Sequence, residues 1–358
     1  MTDLLSSIPI TGFNLGQSGR SVIEHLGESA VKEAVFGILT GQNIRSLTEG
    51  LTRRRLVLSN AALLSAYLRA AAGIPNFSEE LPGKILHELV HAKLSKEQKN
   101  CLLWLVGLTG KGVQNILRGN KEAIEQYING MDQSVRESTV TANNQFGELS
   151  GEMVLDNHSL AINWLTLSRI FTAIGTQTLA IRGAEKSIYG KLFEKLVLGT
   201  VLTILGFSKT DKTKVSEQKN VFWLSERGDK RESDATLLLE LGEGIRFDIG
   251  FIGPGNTEIS LDKVSRFEKQ MEYGQGKFRM STLILVDRIG EKSRIPKLAK
   301  QIGGRIIQMS MSNWVSELAQ IISEKTSSPH PYVQMREKAV FRSIKEKIKS
   351  VVLTDFLS

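Results

Sequence analysis

The amino-acid sequence predicts an α/β protein, in which a central sheet covered by helices follows a mostly helical N-terminal region. Up to Gly183, apolar residues recur every three or four positions, which is the period of a helix buried on one face. After Gly183, short apolar runs alternate with helical segments, which indicates strands and helices alternating along the chain. The sequence therefore predicts a helical region at 1–183, an α/β region at 184–326 and a basic C-terminal helix at 327–358.

The helical region contains four stretches with clear helical spacing of apolar residues. They cover residues 56–72, 83–94, 121–128 and 159–181. Clusters that contain Gly, Pro and Asp predict breaks between helices, because these residues favour turns. The expected breaks lie at residues 73–75, 81–83 and 130–132.

The α/β region is predicted to begin with a long helix at residues 185–205. Apolar runs bounded by turn residues predict the strands that follow it. These strands cover residues 221–224, 235–241, 245–252, 282–286 and 305–309. Helices are expected between or after them, at residues 260–272, 296–302 and 313–322.

The charge and the single cysteine limit the class of protein. The chain carries 46 Lys and Arg against 38 Asp and Glu, a net charge of +8, which favours nucleic acid as a partner and an anionic membrane surface second. Cys101 alone excludes an internal disulfide and a zinc site built from several Cys. No secretory signal is visible, and the longest apolar stretch, 196–207, is too short to span a bilayer. We expect a soluble, cytoplasmic protein.

Acidic side chains at two predicted strands form the main candidate site. Asp234 opens one strand, and Asp248 lies fourteen residues later on the polar face of the next, which it shares with Arg246 and Gly250. Glu194 lies on the preceding helix. Mg²⁺ is held by one or two carboxylates together with water and substrate phosphate, and it assists phosphodiester hydrolysis. The three acids therefore predict a magnesium site in a nuclease.

This order of elements resembles the PD-(D/E)XK nuclease superfamily over roughly residues 185–325. Among its members the chain is similar to type II restriction endonucleases, in particular to the CfrBI group. The resemblance implies a restriction-endonuclease-like core, which is a mixed central sheet flanked by helices. It also implies that Asp234 and Asp248 bind Mg²⁺ and that Glu194 joins the metal site.

Two residues depart from the pattern of the superfamily. Ser233 stands where Pro is expected, and Gly250 stands where the catalytic Lys is expected. Some members carry that Lys on the following helix, so the resemblance assigns its role to Lys263, which would orient the water and stabilise charge on the phosphorane. Glu258 and Arg266 are secondary candidates.

The resemblance also implies a substrate and partners. The reaction would be hydrolysis of both strands of duplex DNA at a short sequence. A homodimer is expected, because a palindromic site mirrors a two-fold axis. A cognate DNA methyltransferase in the same system is the further partner that the resemblance implies.

A helix-turn-helix start and a zinc motif are the competing signals. The polar segment 107–118 offers Gln114, Asn115 and Arg118 to base edges, with Arg266 as a further DNA contact, although an ordinary surface helix shows the same pattern.

Residues 87–91, His-Glu-Leu-Val-His, match the HExxH motif, in which His87 and His91 bind Zn²⁺ while Glu88 activates water. Glu97 occupies the position of the third His of the extended motif. A zinc metallopeptidase is therefore one alternative function. A DNA-binding protein without catalysis is the other, since it would explain the missing lysine.

Overall fold

The computed structural model of the chain describes residues 19–115, 120–212, 219–225, 233–240, 243–251, 279–289 and 304–357. Within these ranges the chain forms two compact units. The first unit contains residues 52–186, and the second contains residues 19–51 together with 187–357. The predicted fold class is confirmed, because helices dominate the first unit and the second contains a mixed sheet flanked by helices. The division at residues 183 and 326 stays a prediction.

Helices account for most of the described residues. In chain order they are α1 (Gly19–Leu26), α2 (Glu28–Leu39), α3 (Ile44–Gly73), α4 (Phe77–His91), α5 (Lys96–Leu105), α6 (Gly110–Asn115), α7 (Lys121–Phe146), α8 (Trp164–Ile204), α9 (Trp314–Ser323) and α10 (Glu337–Ser350). The strands are β1 (Gly151–Leu155), β2 (His158–Ile162), β3 (Ser208–Lys209), β4 (Val221–Leu224), β5 (Ala235–Leu238), β6 (Glu243–Gly250), β7 (Arg279–Val286) and β8 (Arg305–Gln308).

Side chains at the helix ends explain where several helices begin and stop. At the start of α5, the hydroxyl of Ser95 accepts the backbone N–H of Gln98, whose side chain in turn accepts the backbone N–H of Ser95. Asn120 caps α7 by accepting two backbone N–H groups. Helix α8 ends before Gly206, whose φ of 96° is a left-handed conformation that glycine adopts without strain.

Three of the predicted element boundaries in the first unit are wrong. Residues 159–162 belong to β2 of a hairpin and not to a helix. Helix α4 runs through Pro82, because burial of Leu81 and Ile85 outweighs the lost hydrogen bond. Helix α7 runs through residues 130–132, where Asp132 forms an i,i+4 ion pair with Arg136.

An ion-pair network stands beside the hydrophobic core of the first unit. Arg169 is 5% exposed and donates to Oδ1 of Asp132 at 2.5 Å, while Arg136 donates to Oδ2 at 2.9 Å and also pairs with Glu79. Burial would raise the pKa of Asp132, but the hydrogen bonds from Arg136 and Arg169 hold it below its ordinary range. Asp132 is therefore the counterion of a buried arginine.

The sheet of the second unit contains six strands among the described residues, in the order β3-β4-β5-β6-β7-β8. The pairs β4–β5 and β5–β6 are antiparallel, while β3–β4, β6–β7 and β7–β8 are parallel. Strand β6 thus lies in the interior of the sheet, with an antiparallel neighbour on one side and a parallel neighbour on the other. Because β5 begins where β6 ends, residues at these two strand ends share one edge of the sheet.

Helices near both ends of the described chain pack against one face of this sheet. The core cluster of the second unit takes side chains from α1, α2, α8, α9 and α10 as well as from the strands. The indole N–H of Trp314, on α9, donates to the carbonyl oxygen of Ile38, on α2, at 2.9 Å. Lys32 similarly donates to the carbonyl oxygen of Lys349. Residues 19–51 are therefore part of the same core as residues 187–357.

Helix α3 is long and apolar enough to cross a membrane by length and composition alone. One third of its most apolar window is buried inside the protein, and the core helix of a soluble protein passes the same test. Three consecutive arginines, residues 53–55, lie on this helix. The helix is therefore weak evidence for a membrane segment.

Candidate active site

Asp234 and Asp248 lie across from each other on neighbouring antiparallel strands. Strand β5 pairs with β6 so that Ala235 faces Phe247, and one further step in this register places Asp234 opposite Asp248. The Oδ2 atom of Asp234 accepts a hydrogen bond of 2.8 Å from the backbone N–H of Ile249. Opposed residues of an antiparallel pair project from the same face. Asp234 therefore lies next to Asp248 at the C-terminal end of β6, with its carboxyl group held at the backbone of this strand.

The two faces of β6 differ in character, as the alternation in the sequence predicts. Ile245, Phe247 and Ile249 are buried in the hydrophobic core of the second unit. Asp248 alternates with them and is 8% exposed. Burying an ionised carboxylate is costly unless cations or hydrogen-bond donors compensate its charge. The carboxylate of Asp248 is therefore a candidate ligand for a divalent cation at this face.

Glu194 lies on α8 and is half-buried. Its neighbours Phe193 and Leu196 belong to the core of the second unit. Within the ranges that the structure describes, no group of three or more His, Cys, Asp or Glu side chains is placed to hold a metal ion. The structure thus brings Asp234 next to Asp248 through the hydrogen bond to Ile249. Two carboxylates with water and phosphate oxygens suit Mg²⁺, so the pair fits this ion, and Glu194 as a ligand stays a prediction.

Ser233 and Gly250, the two departures from the superfamily pattern, flank the aspartates. Ser233 is buried, its hydroxyl lies 3.2 Å from that of Thr236, and its carbonyl oxygen accepts the hydroxyl of Ser225. These hydrogen bonds hold the start of β5 without a proline. Gly250 is the last residue of β6, and its carbonyl oxygen accepts the backbone N–H of Asp287 at 3.3 Å.

Several residues singled out in the sequence lie outside the described ranges. Lys263, Arg266 and Glu258 fall between residues 251 and 279, and Arg118 falls between residues 115 and 120. Their roles stay predictions.

The predicted DNA-contacting segment begins as a helix, a turn and a second short helix. Helix α5 ends at Leu105, residues 106–109 form the turn, and α6 begins at Gly110. Gly107 in this turn has a φ of 78°, and Gln114 on α6 is exposed. Asn115 is the last residue of α6. A short glycine-containing turn between two helices is the arrangement that a helix-turn-helix needs, so the element order agrees with that interpretation.

The HExxH motif lies on α4 with its residues facing different sides. The rings of His87 and His91 are exposed, with centroids 4.9 Å apart. Glu88 is 8% exposed and therefore lies on the buried side of the helix. A glutamate that activates zinc-bound water must reach the same solvent space as the two histidines. This geometry does not favour the zinc-peptidase interpretation.

Arg246 shares the polar face of β6 with Asp248. The register places it across from Thr236 on β5 and from Thr282 on β7. Its side chain is half-buried. The sequence already put Arg246 on the polar face by alternation, but its neighbours depend on strand register, which a sequence pattern does not supply.

Asp287 is a second buried carboxyl group at this edge of the sheet, one residue beyond the end of β7. Burial raises the pKa of Asp287, and the positive charges of Arg45 and Arg288 only partly oppose this effect. Asp287 lies in a bend just beyond β7, where strand alternation no longer determines the direction of its side chain.

Replacing Asp287 with Asn is expected to raise the melting temperature at pH 7.5. Because the pKa is raised by folding, the ionised carboxylate destabilises the native state, and the penalty develops as the pH rises from about 4 through the folded pKa. Thermal melts at pH 5.0 and 7.5 test this, with the exposed Glu148→Gln as a control for the change in net charge. An Asn variant less stable than the unaltered protein at pH 7.5 would contradict the expectation.

The fold that surrounds the two aspartates is a restriction-endonuclease-like core, a mixed sheet flanked by helices. A sequence model described as CfrBI restriction endonuclease matches residues 28–294. The Type II restriction enzyme CfrBI of Citrobacter freundii is 37% identical over 316 residues, which cover 86% of this chain and 85% of that enzyme. No solved structure matches the chain. By class the chain is a site-specific deoxyribonuclease. It belongs to the CfrBI restriction endonuclease family.

Proposed function

We propose that this protein is a Mg²⁺-dependent endonuclease that cuts both strands of duplex DNA at a short recognised sequence. The observation that carries the proposal is the placement of Asp234 opposite Asp248 at the end of β6. The family and the enzyme from Citrobacter freundii support the sequence-specific cutting of DNA. The pair of carboxylates supports the requirement for a hard divalent cation with oxygen ligands.

The described residues have distinct tasks in this reaction. The N–H of Ile249 fixes one oxygen of Asp234 and so orients the carboxylate, and Asp248 supplies a second carboxylate at 8% exposure. These two groups would hold Mg²⁺, which when bound supplies charge neutralisation at the phosphate and lowers the pKa of a water molecule. Glu194 is proposed as a further acid near this site, and Lys263 as a cation that orients the attacking water.

Recognition of DNA is proposed to involve α6 and the turn before it. Gln114 is exposed on this short helix, and Asn115 and Arg118 follow it in the sequence. The net charge of +8 favours approach to the phosphate backbone, and Arg266 is a further proposed contact. Base contacts would set the sequence, while contacts to phosphate would set the position of the protein on the duplex.

The biological setting follows from the type of enzyme. We propose a homodimer, because one site for each strand of a palindrome requires two copies of the chain related by a two-fold axis. A methyltransferase that protects the same sequence is the proposed second component of the system, and the cytoplasm is the proposed compartment.

Incubation of the pure protein with unmodified phage-length DNA is the direct test of this function. Discrete fragments are expected with Mg²⁺ and none with EDTA, and sequencing of the fragment ends gives the recognised site. Intact DNA in both samples, across several unmodified DNAs, would overturn the proposal. Zinc content should then be measured in the unaltered protein and in His87→Ala.

A further inference from the structure

We propose that Arg246 is the cation that contacts the scissile phosphate, in the absence of a lysine at position 250. This inference rests on the proposed nuclease function and names a catalytic residue for it. It is an alternative to assigning the role to Lys263. The proposal follows from the position of Arg246 on the sheet, from the absence of a side-chain partner among the described residues, and from the chemistry that a guanidinium group can perform.

The position of Arg246 mirrors that of the missing lysine. Arg246 and Gly250 lie two residues before and two residues after Asp248 on the same strand, and all three face the same side of the sheet. At about 3.4 Å per residue, the Cα atoms of Arg246 and Asp248 are ~7 Å apart. An extended arginine side chain spans a distance of this order. Its guanidinium group can therefore reach a phosphate bound beside Asp248. It would approach from one side of the carboxylate, whereas a lysine at position 250 would approach from the other side.

The neighbours of Arg246 on the adjacent strands carry no negative charge that would pair with it. Thr236 and Thr282, its neighbours on the adjacent strands, are small and uncharged. Arg246 is half-buried, yet no hydrogen bond or ion pair of its side chain is found in the described part of the chain. Keeping a guanidinium group partly out of water without a counterion is unfavourable. Phosphate oxygens would supply the counterion, and guanidinium groups bind them in a bidentate manner.

Other arginines of the sheet do not meet these conditions. Arg305 on β8 forms an ion pair with Glu324 at 2.6 Å. Arg279 is exposed at the start of β7, across from Glu243 at the opposite end of the sheet from Asp248. Arg288 follows β7, where its charge acts on Asp287. Among the described strands, Arg246 is the arginine that shares the face of Asp248 and is adjacent to it in the alternation.

The chemistry of arginine limits the role that Arg246 can take. In the reaction, the oxygen of water forms a bond to phosphorus and one P–O ester bond breaks. The leaving oxygen becomes a hydroxyl group, and the water gives up a proton. A guanidinium group keeps its proton at all working pH values, so Arg246 is not the base that accepts this proton. Arg246 acts by stabilising the negative charge on the non-bridging phosphate oxygens as the new bond forms.

Single-turnover cleavage by variants at position 246 tests the proposal. Arg246→Gln and Arg246→Ala are expected to cut ~10²–10³-fold more slowly at saturating DNA with Mg²⁺, which is the usual loss for a group that stabilises transition-state charge. Binding of the same DNA in EDTA is expected to change less than fivefold, since phosphate contacts elsewhere dominate affinity. Arg246→Lys, which keeps the charge, should cut faster than Arg246→Gln. The matched control, Arg279→Ala, should cut like the unaltered protein.

Two results would overturn the role of Arg246. One is an Arg246→Gln variant that cuts within threefold of the unaltered protein. The other is a loss of DNA binding as large as the loss of cleavage, since this would make Arg246 a general phosphate contact. Thermal melts establish which variants fold. If Arg246→Ala does not fold, the cleavage rate of Arg246→Gln alone tests the proposal. An unaltered protein that cuts no DNA overturns the nuclease function together with this inference, whereas cutting that is insensitive to position 246 overturns only the inference.

Discussion

Replacing Asp248 with Asn should abolish DNA cleavage while leaving the fold and the binding of DNA intact. The amide has the shape of the carboxylate but lacks the negative charge that holds a divalent cation, so the loss falls on the chemical step. We expect a decrease of at least ~10³-fold in the single-turnover rate, which corresponds to about 4 kcal/mol of transition-state stabilisation. Asp234→Asn should have an effect of the same order, because its carboxylate faces that of Asp248.

The matched control for this experiment is Asp287→Asn. It is the same chemical change at another buried aspartate near the same edge of the sheet, but outside the proposed metal-binding pair. Its cleavage rate should equal that of the unaltered protein. If Asp234 and Asp248 act as one site, the double variant should be no slower than either single variant. Cleavage by Asp248→Asn within tenfold of the unaltered rate would show that the catalytic site lies elsewhere.

Replacing Asp132 with Ala should cause a large loss of stability in the first unit. The change leaves Arg169 without its counterion at 5% exposure, and breaking a buried ion pair from one side typically costs about 3–5 kcal/mol. Because the pKa of Asp132 is held down in the folded protein, the stabilisation should be present above pH ~4 and lost as the pH falls through the folded pKa.

Urea unfolding of three variants separates the cost of leaving a buried charge unpaired from the stabilisation contributed by the ion pair. Asp132→Ala should lower the midpoint strongly, whereas the double variant Asp132→Ala/Arg169→Met should recover much of the loss, because it also removes the buried charge. Glu346→Ala breaks a pair with Lys349 in which both side chains are 65% exposed, and it should change the free energy of unfolding by less than ~1 kcal/mol. If Asp132→Ala lowered the urea midpoint by no more than Glu346→Ala does, the stabilising role of the ion-pair network would be refuted.

The sequence predicted the structure best where the alternation of apolar and polar residues along a single strand indicates which face of the strand is buried. The predicted strand at 221–224 matches β4, and the alternation along β6 placed Asp248 on the polar face. Asp234 could be linked to Asp248 because a short hairpin connection makes neighbouring antiparallel strands probable partners. The fold class and the proximity of Asp234 to Asp248 were therefore accessible from local pattern, whereas their role as metal ligands stays a prediction.

The features that the sequence pattern did not predict are those that depend on more than the local alternation of residues. Helix α8 continues through Gly183, where the change of pattern suggested a boundary, because a single glycine costs a helix only about 1 kcal/mol. The β1–β2 hairpin was missed because its residues also fit a helical spacing. The neighbours of Arg246 follow from the register of β5, β6 and β7, and a one-residue shift would turn Arg246 to the opposite face.

The second unit is discontinuous in the sequence, and this has a consequence for its biosynthesis. Its core joins α1 and α2, which a ribosome makes first among the described elements, to Leu353 and Phe356, which are made after all the described α-helices and strands. The first unit, at residues 52–186, is complete well before then and can fold while translation continues. The sheet that carries Asp234 and Asp248 can close its core only after residue 356 has left the ribosome. A nascent chain would therefore hold no finished copy of the proposed cutting site before residue 356 has emerged.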